Sequence, residues 1–153
     1  MDIGYQRLSS TCNLTHADME DLNHLADQLS QHHELITVHS LVEILKTGAI
    51  VIARDTSPPQ AGQRQGRIVG MATLIVVTKM SSRLGLIEDV VVDEQFRGKG
   101  IARELMERLI ALAKVGHLSY LDLTSHSSRV AAHALYKKLG FELRDTSKFR
   151  LKL

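Results

Sequence analysis

The chain has 153 residues, 44% hydrophobic and 24% charged, with 19 Lys and Arg against 17 Asp and Glu for a formal net charge of +2. A chain this long buries roughly 70% of its unfolded surface without a staple, so one domain over residues 1–153 is expected. Cys12 stands alone, no tryptophan is present and no apolar run nears the ~20 residues of a membrane span, which argues against a disulfide framework, a multi-cysteine zinc site, a single-strand nucleic-acid platform and a bilayer anchor.

The opening MDIGYQRLSS lacks the apolar core of a signal peptide, which predicts a cytoplasmic protein. Within it IGYQRL alternates as a first strand. THADMEDLNHLADQLSQ then sets Met19, Leu22, Leu25, Ala26 and Leu29 on one helical face, with Thr15 as N-cap and Asp18 three residues on. SLVEILKTG reads as a short helix from a Ser40 cap to a Gly48 stop, followed by the strand AIVIARD. TSPPQAGQRQG holds both prolines and reads as a loop tip. RIVGMATLIVVTKM and LGLIEDVVVD are β-branched runs suited to central strands, with Gly85 expected near a bend or bulge. Ile101, Leu105, Leu109 and Leu112, broadened by Ala102, Met106 and Ala113, mark a long amphipathic helix. SYLDLTS is a further strand, SRVAAHALYKKLG a helix stopped at Gly140, and FELRDTSKFRLKL a final pair of strands. Adjacent strands interrupted by helices predict an α/β architecture with a mixed sheet covered on its faces.

The stretch EDVVVDEQFRGKGIARELMERL, residues 88–109, runs from strand through a glycine-containing turn into that long helix. Such a turn leaves backbone amides without intrahelical partners at the positive end of a helix dipole, which is an anion site. Gly98 and Gly100 open the backbone, and Arg97, Lys99 and Arg103 form a local basic patch. A P-loop is not matched, because Gly100 follows Lys99 and no four-residue arch precedes it. A dinucleotide fingerprint needs glycine or alanine where Arg103 stands, although Asp122 lies about 20 residues on, where a ribose partner belongs. The plain structural alternative is that the glycines only shape a tight turn.

Arg97-x-x-Gly100-x-Ala102 follows an Arg/Gln-x-x-Gly-x-Gly/Ala signature, and AAHALYKKLGF, residues 131–141, follows A-x-x-L-Y-x-x-x-G-F with Ala132, Leu135, Tyr136, Gly140 and Phe141 in place. On these two motifs the chain resembles the GNAT superfamily of acetyl-CoA-dependent N-acetyltransferases. The order of elements agrees along nearly the whole chain, residues 1–80 in pattern alone. The resemblance implies a single domain with a mixed, mostly antiparallel sheet of about six or seven strands flanked by about four helices. It implies that the backbones of Val90, Val91 and Val92 run beside the pantetheine arm of acetyl-CoA. The amides of Arg97, Gly98, Lys99, Gly100, Ile101 and Ala102 would hold its pyrophosphate, and Tyr136 would protonate the departing thiolate. Arg129 stands where many members carry an asparagine, and a bidentate pairing with phosphate is its expected substitute role. A homodimer is in keeping with the family.

Acetylating an amine requires the neutral amine, and deprotonating one of pKa about 10.4 at pH 7 costs roughly 4 to 5 kcal/mol. Glu88 and Asp89 sit mid-strand before the motif, and alternation predicts opposite faces for them. Glu88 is the candidate general base or amine-binding group, by family position and by partial desolvation; Asp89 is read as structural. A strand amide such as that of Val90 would stabilise the developing oxyanion. No H-E-x-x-H occurs among the eight histidines, His32 and His33 point apart, and His126 and His133 flank the cofactor region as polar surface residues, so no metal is expected. With Cys12 far from the motif, direct transfer in a ternary complex is the expected route, from acetyl-CoA as co-substrate to a small-molecule or protein amine. The other reading is a catalytically silent acyl-CoA sensor. LIEDVVVDEQFRGKG is also similar to the glucosamine 6-phosphate branch of the superfamily, and protein lysines, polyamines, amino acids and aminoglycosides stay open as acceptors.

Overall fold

Five strands and four helices follow one another in the computed structural model, which describes residues 1–30, 34–58 and 66–152. They are β1 (Ile3–Leu8), α1 (His16–Leu29), α2 (Val38–Thr47), β2 (Gly48–Asp55), β3 (Ile68–Thr78), β4 (Arg83–Val92), α3 (Ile101–Val115), β5 (Leu121–Leu123) and α4 (Val130–Lys138), with a single 3₁₀ turn at Glu94–Phe96. The sheet order is β1-β2-β3-β4-β5. The first three pairings are antiparallel, and β4 with β5 is parallel. No helix among the described residues is long and apolar enough to cross a membrane.

Alternation in the central strands divides the apolar residues between two layers. Ala49, Val51 and Ala53 of β2 and Val69, Ala72 and Leu74 of β3 pack on Ile101, Leu105, Met106 and Leu109 of α3. On the other face, Ile50, Ile52, Ile68 and Met71 meet Leu22, Leu25 and Ala26 of α1 and Leu41 of α2. The sheet is thus covered on both sides, as the runs of strand and helix predict.

Helix α1 starts where its sequence says. The Thr15 hydroxyl accepts from the Asp18 amide at 3.2 Å, and Asp18 Oδ2 accepts from the Thr15 amide at 2.9 Å. Asp18 does more than cap: its Oδ1 takes Arg54 Nη1 of β2 at 2.6 Å, and Arg54 also donates to the Gly66 carbonyl at 2.7 Å. Helix α2 begins earlier than expected. Thr37 is its N-cap and Ser40 the third helical residue, because their side chains satisfy each other's amides. Gly48 does end it.

Three further expectations change. Gly85 marks no bulge; a Cβ there would come within 2.6 Å of Leu121 and Leu74 side-chain atoms, so the glycine permits close packing of β4 against its neighbours. The bulge lies instead between Glu88 and Val91, where two residues of β4 face one of β3. The final strand pair is absent among the described residues: 141–152 have no ladder partner, and Leu143, Phe149 and Leu151 lie in solvent. Alternation there supplies propensity but no buried face to fix a register. His32, His33 and most of the proline-containing loop fall outside the described residues.

Burial raises the Asp18 carboxyl, but the hydrogen bonds from Arg54 and Thr15 and the Arg54 charge outweigh it and bring its pKa to about 2. A folded-state value below the unfolded one contributes stability above the ordinary Asp range and loses it on acidification. Asp18→Ala is therefore expected to cost about 3 kcal/mol at neutral pH, since it strands the partly buried Arg54. In denaturant titrations the gap to wild type narrows as the pH falls from about 4 toward 2.

Candidate active site

The turn between β4 and α3 is built on a buried carboxylate. Asp93 is 1% exposed, a burial tolerated only where donors surround the group. Its Oδ1 accepts from the Gln95 amide at 2.9 Å and starts the 3₁₀ turn. Its Oδ2 receives Arg67 Nη2 at 2.6 Å and lies 3.5 Å from His24 Nε2 and from Gln28 Nε2 of α1. Gln28 Oε1 in turn accepts from the Glu94 amide at 2.9 Å and from Arg97 Nη2 at 3.2 Å.

The turn's own cations fold back onto it. Arg97 Nε donates to the Val92 carbonyl at 3.0 Å, while Lys99 Nζ donates to the Gln95 carbonyl at 3.1 Å and lies 4.8 Å from the Phe96 ring centre. Gly98 and Gly100 have φ of 77° and 81°, the left-handed region where a side chain is strained. A Cβ at either would meet nothing within 4 Å, so the space over this backbone is open. Among the described residues no amide from Gly98 to Arg103 has an acceptor; the first bond into α3 runs from the Glu104 amide to the Gly100 carbonyl at 3.1 Å. Arg97 departs from the sequence expectation, since its amide bonds the Glu94 carbonyl at 3.4 Å. The amides of Gly98, Lys99, Gly100, Ile101 and Ala102 lie at the positive end of α3, and this arrangement fits a pyrophosphate.

Beside the turn the sheet opens. Strand β5 pairs with β4 at Gly85, Leu86 and Ile87, and among the described residues Glu88, Asp89, Val90, Val91 and Val92 have no ladder partner on that side. The Val92 carbonyl is already taken by Arg97, and the Asp93 amide bonds the Val69 carbonyl of β3, so by alternation Val91 turns its backbone groups to β3 and Val90 is left with the freer edge. Ser125, two residues beyond β5, has a buried hydroxyl oxygen without a hydrogen-bond partner among the described residues.

The bulge at this opening alters where the two carboxylates lie. Ile87 and Val92 both pack on the α3 side although five positions apart, so one residue between them is absorbed. Asp89 absorbs it, with φ of 54°. Glu88 is opposite Thr73 in register, and the Thr73 hydroxyl serves Asp89. Both carboxylates therefore share one side of the sheet, contrary to simple alternation. Burial, then the neighbouring charge of Asp89, pushes the Glu88 carboxyl up, with Lys148 pulling against them. Asp89 is raised by desolvation and eased by Thr73. Glu88 lines an open cleft of about 1000 Å³ that passes the β5 edge, reaches Ile110, Ala113 and Lys114 of α3 and is bordered by Gly140 and Phe141.

Tyr136 of α4 sets its ring edge-on to Phe141, with centroids 6.2 Å apart and planes at 63°. Phe141 is the link between it and the Glu88 cleft; no hydrogen bond joins Tyr136 to Glu88. Burial raises the Tyr136 hydroxyl, and the Arg129 charge acts the other way. Arg129 precedes α4 and donates Nη2 to the Leu29 carbonyl at 2.7 Å, tying α4 to the end of α1. His126 bonds its near neighbour Ser128 at 2.8 Å. No group of histidine, cysteine and carboxylate side chains suited to a metal occurs among the described residues. Sequence reasoning missed Gln28, Arg67 and Asp93, which shape the turn; an Asp directly after an apolar strand was the only local signal.

The model of the Acetyltransferase (GNAT) family matches residues 19–141. N-acetylaspartate synthetase of Xenopus tropicalis is 34% identical over 80 residues, 51% of this chain and 28% of that protein. Glucosamine 6-phosphate N-acetyltransferase of Trypanosoma brucei brucei is 34% identical over 86 residues, 54% of this chain and 56% of that protein. The chain thus spans less than two thirds of either relative. The crystal structure of a Trypanosoma brucei acetyltransferase superposes with a TM-score of 0.74 at 24% identity, covering 99% of this chain and 100% of that one, which shows a shared fold.

Removing the Asp89 charge relieves one cause of the raised Glu88 value. Asp89→Asn, which keeps a residue tolerant of positive φ, is expected to lower the Glu88 titration midpoint in carboxyl-carbon NMR. An unmoved midpoint would show that the two groups do not interact.

Proposed function

The chain belongs to the GNAT acetyltransferase family, and from that premise we propose that it transfers the acetyl group of acetyl-CoA directly to a primary amine, with both substrates held in one ternary complex. The observation that carries this reading is the run of amides from Gly98 to Arg103 that have no acceptor among the described residues and lie before open space. Acetyl-CoA supplies an activated thioester carbonyl; everything else is done by the chain. The amides of Gly98, Lys99, Gly100, Ile101 and Ala102 bind the pyrophosphate, with the positive potential of Arg97 and Lys99 behind them. The free edge of β4 at Val90 aligns the pantetheine arm, and an amide of that edge stabilises negative charge on the acetyl oxygen.

Glu88 takes a proton from the incoming ammonium. Its raised carboxyl is a stronger base than an ordinary glutamate, which reduces the roughly 4 to 5 kcal/mol gap to a neutral amine. Tyr136, kept protonated by its burial, gives a proton to the leaving thiolate. Arg129 supports this step from α4 and, through Leu29, fixes the position of α4 against α1. The acceptors in the two relatives' names, aspartate and glucosamine 6-phosphate, are both anionic at neutral pH.

Strain at a left-handed position is about 1 to 2 kcal/mol for a residue with a Cβ. Gly100→Val is accordingly expected to weaken acetyl-CoA binding in calorimetry by about tenfold or more, and Lys99→Ala by about threefold or less. The opposite order would make side-chain charge, not open backbone, the binding element. Tyr136→Phe should leave that affinity unchanged and lower kcat by about a hundredfold where chemistry limits turnover; equal kcat would remove the general-acid role.

A further inference from the structure

The cleft that Glu88 lines is also lined by the last segment of the chain. Lys148, exposed on that segment, shares the wall with Glu88, with Arg144 and with Lys114 in the last turn of α3. Of these three cations, Lys148 is the one whose charge acts on the Glu88 carboxyl. Among the described residues it has neither a hydrogen bond nor an ion pair, so its ammonium is not committed elsewhere. Other lysines are: Lys46 donates to Glu43, Lys79 to the Tyr120 hydroxyl and Lys99 to the Gln95 carbonyl.

The segment that carries Lys148 is placed to deliver it. At its start Phe141 sits edge-on to Tyr136, with ring centres 6.2 Å apart. Beyond Phe141, residues 141–152 have no ladder partner among the described residues, so a shift of this backbone breaks no sheet hydrogen bonds. A primary amine is thereby tethered to the cleft that holds the carboxylate read above as the base. Tethering of this kind turns a bimolecular step into an intramolecular one.

We propose that Lys148 is itself an acetyl acceptor, and that the chain acetylates its own Lys148 Nζ in cis when acetyl-CoA is bound. The inference rests on the transfer reading above and deepens it by naming an acceptor. Glu88 takes one proton from the Lys148 ammonium and passes it to water. The neutral amine attacks the thioester carbonyl, the C–N bond forms and the C–S bond breaks. The second nitrogen proton replaces the one that Tyr136 gives to the thiolate. The products are an N-acetylated lysine, the free CoA thiol and one proton.

The test is to incubate the purified chain with acetyl-CoA alone and to follow acetyl groups by peptide mass spectrometry. Lys152 is exposed on the same segment and reports uncatalysed acetylation. Lys148 should be modified at least about a hundredfold faster, and its rate constant should hold over about a tenfold range of protein concentration. Lys148→Arg should abolish the single equivalent of thiol released without added amine. Glu88→Gln should slow Lys148 acetylation by about tenfold or more and leave the Lys152 rate unchanged. Modification of Lys148 no faster than Lys152, or at a rate constant that rises with protein concentration, would overturn the proposal. Thiol release with spermine, aspartate, glucosamine 6-phosphate and a lysine peptide is measured alongside. If any of these turns over while Lys148 stays unmodified, the cis reaction fails and acetyl transfer stands. If none does and Lys148 stays unmodified although acetyl-CoA binds, the transfer reading fails with it.

Discussion

One extra residue in β4 sets the geometry of the whole site. Between Glu88 and Val91 the strand carries two residues opposite one of β3, and the phase of alternation changes there. Val90 and Val92 turn to the α3 side, while Asp89 and Val91 face α1 and α2. The bulge also begins where β5 stops pairing, after Ile87. Bulges bend a strand and increase its local twist, which accounts for a parallel neighbour that keeps register for only three residues. An opened sheet edge and a pair of adjacent carboxylates thus have a common cause, and neither is separable from the left-handed backbone of Asp89.

The bulge alone would leave the following turn undefined. That turn is fixed by Asp93, whose two oxygens accept from β3's flank, from α1 and from the turn itself. A buried carboxylate of this kind contributes little net stability compared with an apolar residue; its effect is to hold one arrangement. Arg67 comes from just before β3 and Gln28 from the last turn of α1, and Gln28 passes the constraint on to Glu94 and Arg97. Because the Arg97 and Lys99 side chains are committed to carbonyls of the turn, they act as scaffold, and the groups left over for a ligand are the amides. A cradle made of backbone tolerates side-chain change and is intolerant of a Cβ at Gly98 or Gly100.

What the sequence showed follows the range of the interactions. Local signals were legible: the Thr15 and Asp18 capping box, the apolar stripe of α3, the strand runs, and the glycine turn that opens a helix. The cap of α2 was misplaced by three residues because Thr37 and Ser40 are both good caps and only their reciprocal bonding ranks them. The bulge was not legible, since it is a count of residues against a partner strand. Opposite faces for Glu88 and Asp89 followed from strict period two, which fails where the ladder does. Asp93, Arg67 and Gln28 are 26 or more positions apart and carry no mutual spacing signal. The final strands were assigned on alternation, which holds in residues 141–152, but Leu143 and Phe149 have no face to cover.

The same distinction separates the two halves of the proposed reaction. Binding a pyrophosphate on amides needs a turn, two glycines and a helix end, all encoded within residues 93–104. The carboxylates beside that turn depend instead on the phase of β4 against β3 and on where β5 stops, so their placement needs three strands at once. Adjacent like charges are costly to keep, and Glu88 and Asp89 each raise the cost of ionising the pair in partly desolvated surroundings. A cation placed between them would lower that cost more than it would for either acid alone. The carboxylate pair therefore favours a cation on electrostatic grounds, and in the proposed reaction Glu88 is the less acidic first for its desolvation and then for having Asp89 beside it.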